Sequence, residues 1–134
     1  MDEYQGLVDA ATSARGRAYA PYSGFQVGAA LLGESGRIYA GCNVENISYG
    51  LSSCAERNAV FRAVGDAERR FTAIAVVTAA ATPTPPCGAC RQVLSEFAAG
   101  GDMDVVMVTT GGTRKARRLS ALLPEGFSSF EHSQ

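Results

Sequence analysis

The first apolar positions of the chain, Leu7, Val8, Ala11, Ala14 and Ala18, recur at helical spacing, which predicts an amphipathic helix over about residues 3–18. "YAPYSG" at 19–24 breaks the pattern with Pro21 and Gly24. Phe25–Leu32 is apolar and strand-like, "GESG" at 33–36 reads as a turn, and Arg37–Val44 reads as the second arm of a hairpin. Ser53 followed by Glu56 has the form of a capping box. A helix over 54–65 is expected from it, with Ala55, Ala59, Val60 and Ala63 inward and Gly65 at its end. "FTAIAVVTA" at 71–79 is a short β-branched run suited to a strand buried on both faces. "TPTPP" at 82–86 forbids regular structure and delivers Pro86 just ahead of a helix over 88–99. "DVVMVTT" at 104–110 predicts another buried strand, "GGTRK" a turn, and the tail from Leu119 onward short turns with room for one helical turn.

From residue 37 onward the order is strand, helix, strand, helix, strand. Helical crossovers of this length join parallel strands right-handedly. The strands ending near 44 and 79 therefore finish at the same end of the sheet, and the helices beginning near 54 and 88 start there. The expected class is α/β, a three-layer α/β/α arrangement with a mixed sheet of about five strands and helices on both faces. With 134 residues the chain is expected to be a single domain over 1–134.

Composition narrows the function classes. Hydrophobic residues make up 46% and charged residues 19%, too apolar for a disordered chain. The net charge of −1 argues against a partner of long nucleic acid, and the basic runs "RRF" at 69–71 and "TRKARR" at 113–118 read as solvated surface. No apolar stretch reaches the length of a membrane span, and the acidic, amphipathic start does not read as a signal peptide. A soluble cytoplasmic protein is expected, in which Cys42, Cys54, Cys87 and Cys90 serve as thiols or metal ligands rather than disulfides.

The topology gathers Cys54, Cys87 and Cys90 into one crevice at the strand ends, where such sheets bind ligands. Cys87 and Cys90 are spaced to reach one metal ion from a helix N-terminus, and the third cysteine favours zinc over a redox pair. Three ligands leave one coordination position for water, the mark of a catalytic site. Cys42 reads either as a small core residue or as a fourth ligand that would close the site into a structural module. Three thiolates outweigh the two charges of Zn²⁺, so compensation is needed. The helix N-termini supply part of it, and Arg57 and Arg91 could donate hydrogen bonds to the sulfurs. Glu56, two residues from Cys54, is placed to take a proton from water and pass it on. That chemistry suits hydrolytic attack on an amidine-like carbon with loss of ammonia.

Cys54-Ala55-Glu56 with Pro86-Cys87-Gly88-Ala89-Cys90 resembles the zinc nucleobase-deaminase signature in its three-cysteine form. The wider likeness is to the small, homotetrameric cytidine deaminases, and it runs through "PYSGFQVGAAL", "GCNVENISYG", "SSCAERNAV", "PCGACRQVL" and "LLPEGF". The resemblance implies deamination of cytidine and deoxycytidine to uridine and deoxyuridine, as in pyrimidine salvage, with one Zn²⁺ per subunit. It implies that Glu56 moves the protons and that the backbone amide of Ala55 orients the oxygen at C4 of the base. Asn43 and Glu45, two apart in an extended segment, point the same way; they read as a polar strand-end turn or, by resemblance, as the ribose contacts. Phe25 reads as core or, by resemblance, as a wall of the nucleoside pocket. Phe127 is core cover or reaches into a neighbouring subunit's site, and Arg91 and Gln92 lie near the thiolates or only on a surface turn. A related deaminase acting on another cytosine compound, such as blasticidin S, remains the nearest enzymatic alternative.

Overall fold

The computed structural model describes residues 4–126. A helix, α1 (Gln5–Arg15), precedes the hairpin of β1 (Val27–Gly33) and β2 (Ile38–Cys42). A 3₁₀ turn at Tyr49–Leu51 leads to α2 (Ala55–Gly65), followed by β3 (Phe71–Thr78), α3 (Gly88–Phe97), β4 (Asp104–Thr109), β5 (Arg114–Arg118) and the short α4 (Leu119–Leu122). The sheet order is β2-β1-β3-β4-β5. β1 runs antiparallel to both β2 and β3, so those two run the same way with β1 between them. β3 and β4 are parallel across α3, and β5 returns antiparallel to β4. The expected common end for the strands before α2 and α3 is therefore present.

Alternation along β3 divides the core. Ile74 and Val76 pack with Val60 of α2 and Leu94 of α3. Ala73, Ala75 and Val77 face Leu7, Val8 and Ala11 of α1. Side chains alternate across a strand, and a sheet covered on both faces needs apolar residues at both parities. Two glycines bring the helices unusually close. A Cβ on Gly28 would lie 2.0 Å from the carbonyl oxygen of Ala11, and one on Gly41 would lie 2.5 Å from the amide nitrogen of Ala59. The second contact seats α2 directly on β2, and with it the start of α2 where Cys54 and Glu56 lie.

Four expectations need correction. Ser53 does not cap α2. Its N–H donates to the Val44 carbonyl at 2.9 Å, and its hydroxyl pairs with Asn58 Oδ1 at 2.7 Å. Because Ser53 is committed to this bridge with Val44, the chain turns one residue later, and Cys54 is the N-cap with extended backbone. Arg114 and Lys115 of the "GGTRK" assigned to a turn instead open β5, whose five residues are all exposed. Such a strand carries no apolar alternation to read, and charge on an edge strand discourages pairing with other chains. Finally, β1 starts at Val27 rather than Phe25, and α1 spans Gln5–Arg15 rather than 3–18.

Candidate active site

Cys54 and Cys87 are the N-caps of α2 and α3. The Cys87 sulfur accepts the backbone N–H of Cys90 at 3.4 Å, a capping bond made by a thiol where serine or aspartate is usual. One turn of helix brings Cys90 round to the same point. The three sulfurs lie within 4.8 Å of one another, with 3.9 Å between Cys54 and Cys87 and 3.3 Å between Cys87 and Cys90. Cys42 is half-buried and is not a member of this cluster.

Arg57 Nη2 donates to the Cys54 sulfur at 3.4 Å, as anticipated. Its Nε–H is buried with no acceptor among the described residues, which fits a guanidinium set against sulfurs carrying full negative charge. Arg91 does not reach a sulfur. Its Nε donates to the Pro86 carbonyl at 2.7 Å and its Nη1 to the Leu122 carbonyl at 2.9 Å, so it ties α4 to the start of α3. A fork of donors one residue past the cluster meets unpaired carbonyls before it meets a thiol. Gln92 is half-buried at the start of the second turn of α3.

Cys54 ionises well below the usual thiol range. The hydrogen bond with Cys90 brings its pKa down to about 5, with help from Arg57 and against the cost of burial. The same hydrogen bond and burial push Cys90 upward. Three soft sulfur ligands at two positive helix ends fit zinc. Glu56 is 5% exposed, and burial lifts its carboxyl to about 7, with a further upward push from the charge on Cys54. A carboxyl group poised near neutrality can both take and give a proton at physiological pH.

Glu56, Cys54 and Ala55 share a cavity of about 270 Å³ with Phe25, Val27, Asn43 and Glu45. Ser23, Val76, Thr78, Thr84 and Pro85 complete its lining and were not recognised as site residues from the sequence. The signal for Thr84 and Pro85 was present, since they immediately precede Pro86 and Cys87. Ser23 could have been found only through its partner. Glu45 accepts the N–H groups of Tyr22 and Ser23 at 3.0 and 3.1 Å and also pairs with the Ser23 hydroxyl, which leads the influences that lower its pKa. Asn43 Oδ1 accepts from Val27 N–H at 2.8 Å, and its Nδ2 donates to the Phe25 carbonyl at 2.8 Å. Both side chains thus hold the 22–27 segment over the cavity while lining it. Phe25 is 40% exposed, so it belongs to the cavity wall and not to the core. Phe127 lies outside the described residues.

A second hollow of about 400 Å³ shares Ser23 and Glu45 with this cavity and is lined also by Tyr22, Tyr49 and Ser52. A third hollow, about 220 Å³ beside α3 and α4, contains neither a cysteine nor a buried carboxyl group and lies away from this chemistry.

A mixed sheet that brings three thiols to a buried, near-neutral carboxyl group defines a metal site equipped for proton transfer. Residues 1–109 match the family described as "Cytidine and deoxycytidylate deaminase zinc-binding region". The chain belongs to that family. It is 48% identical over 126 residues to a cytidine deaminase of Sporosarcina psychrophila, spanning 94% of this chain and 92% of that one. It is 44% identical over 117 residues to a cytidine deaminase of Mycobacterium tuberculosis, spanning 87% and 84%. The crystal structure of a cytidine deaminase from Burkholderia pseudomallei superposes with a TM-score of 0.88 at 46% identity, covering 95% of this chain and all of that one. The α/β/α class and the mixed five-stranded sheet anticipated from the sequence agree with this likeness.

Proposed function

We propose that this protein is a zinc-dependent hydrolase that deaminates cytidine and deoxycytidine to uridine and deoxyuridine with release of ammonia. The observation that carries this reading is the buried Glu56 carboxyl group, held near neutrality, sharing one cavity with a sulfur of the three-cysteine cluster. Cys54, Cys87 and Cys90 would hold the ion. Zinc bound there supplies Lewis acidity that makes water a competent nucleophile at neutral pH. Glu56 would accept one proton from the attacking water and give it to N3 of the base, then take the second from the hydroxyl now on C4 and give it to the departing amine. Ala55 is the first residue of α2, so its N–H is free of the intrahelical ladder and can orient the oxygen at C4.

At the opposite end of the cavity, Asn43 and Glu45 receive the ribose, with Phe25 against the nucleoside. Glu45 is a carboxylate whose pKa is held low, so it presents acceptors to sugar hydroxyls. Arg57 acts on the thiolates from outside the ligand set, and Gln92 belongs to the same outer layer, whereas Arg91 serves it only by fixing the 86–91 turn. The whole of 1–134 forms one domain with this activity, placed in pyrimidine salvage in the cytoplasm. Among the described residues no helix is long and apolar enough to cross a membrane.

The chain works as a homotetramer. Support comes from Ile47, Tyr49 and Leu51, which are 79%, 76% and 72% exposed within five residues of chain, Tyr49 also lining the second hollow. Apolar side chains grouped in this way mark an interaction surface. By the family resemblance, Phe127 would contact a nucleoside site, in its own or a neighbouring subunit. The substrate assignment is tested by turnover of cytidine, deoxycytidine and blasticidin S side by side. Cytidine and deoxycytidine are converted; conversion of the antibiotic with both nucleosides inert would overturn the assignment.

A further inference from the structure

The cavity's two side walls come from different parts of the fold. Glu56 stands on the first turn of α2, which packs over β1 and β2. Thr84 and Pro85 belong to the segment that leaves β3 for α3, on the other flank. Val27 of β1 and Val76 and Thr78 of β3 lie between them as a floor. A cytosine ring whose C4 lies at the cysteine corner has N3 on one side of C4 and C5 on the other. Because N3 must face Glu56 to receive its proton, C5 faces the wall carrying Thr84.

That wall is stiff. Pro83, Pro85 and Pro86 each fix a backbone φ, and a residue that precedes proline is confined to extended conformations, which restrains Thr84 and Pro85. Cys87, directly after Pro86, is anchored as the N-cap of α3. The Thr84 hydroxyl is 3.5 Å from both the Thr78 hydroxyl and the Thr82 carbonyl, too long to make it a strong polar anchor. Its contribution to the wall is therefore volume.

We propose that Thr84 determines specificity by limiting the size of the C5 substituent that the site accepts. The proposal rests on the cytidine deaminase reading given above. It concerns the side chain of a residue half-buried in a loop, so changes in its size are compatible with folding. The test compares kcat/KM for 5-iodocytidine with kcat/KM for cytidine, as a ratio, in the zinc-loaded protein and in three variants. Thr84→Ala opens the wall and raises the ratio by about tenfold, the lower range for one small group in a pocket. Thr84→Leu narrows it and lowers the ratio. Thr84→Val keeps the volume without the hydroxyl and leaves the ratio within about twofold of the parent, less than the smallest effect attributed to a missing methylene. A general loss of structure moves both substrates together and does not reproduce this order. A ratio unchanged in both Thr84→Ala and Thr84→Leu, or one shifted as much by Thr84→Val, overturns the proposal alone. Failure of the parent to turn over cytidine overturns the underlying reading and the proposal with it.

Discussion

Replacing Glu56 with glutamine lowers kcat for cytidine by about 10²–10⁴-fold while zinc stays bound. The size follows from what the side chain supplies. Its carboxyl group is buried, and burial, more than any neighbour, lifts its pKa to about 7. At neutral pH both protonation states are populated, so one group can accept the proton from water and return it to the substrate. Glutamine has the same shape and hydrogen-bonding reach but cannot lose or gain a proton in this range. Stability is not sacrificed, because a buried neutral amide avoids the desolvation cost of the carboxylate. Zinc content and thermal midpoint of Glu56→Gln should therefore match or exceed those of the parent. Turnover within a factor of about three of the parent would remove the carboxyl group from the proton path, since general acid–base catalysis is worth far more than that.

Cys90→Ala has the second large effect, and it acts on the metal. Cys90 is fully buried on the first turn of α3, its sulfur 3.3 Å from that of Cys87. Loss of one ligand from a three-thiol set weakens zinc binding by more than the 10–100-fold typical of losing an outer partner, roughly stated. Zinc no longer co-purifies, cytidine turnover falls to background, and the thermal midpoint drops because the ion binds only the folded state. Cys42→Ser is the contrast. Its thiol stands outside the cluster, so zinc and turnover persist. Zinc lost from Cys42→Ser but kept by Cys90→Ala would mean that the ligand set is wrongly drawn.

Much of the site was legible because its signal is local and chemically narrow. Cys54, Glu56, Cys87 and Cys90 stand out by type and spacing, and the direction shared by β2 and β3 follows from helix crossovers of ordinary length. What failed was finer and depended on tertiary contacts. The Ser53–Glu56 spacing is that of a capping box, yet Ser53 is drawn into a bridge with Val44, and Cys54 takes the cap. Both functions of that turn, starting α2 and presenting a thiol, thus fall on one residue. Arg91 was placed by proximity in sequence, while its donors are taken by the carbonyls of Pro86 and Leu122. β5 was missed because five exposed residues, four of them basic, carry no burial period. From the sequence Asn43 and Glu45 read as a polar strand-end turn or as ribose contacts, whereas in the structure they line the cavity and hold the 22–27 segment at once. A dual use of that kind has no signature in spacing.

If the three thiols hold one zinc ion and that ion acts with Glu56 on cytidine, metal content and turnover rise and fall together. The direct measurement is zinc content and cytidine turnover on the same sample, taken as purified, after removal of metal by a chelator, and after zinc is restored. One zinc per chain with turnover that disappears on chelation and returns with zinc is the outcome this account predicts. Full turnover in the metal-depleted sample, or a fully zinc-loaded sample inert toward cytidine, would contradict it.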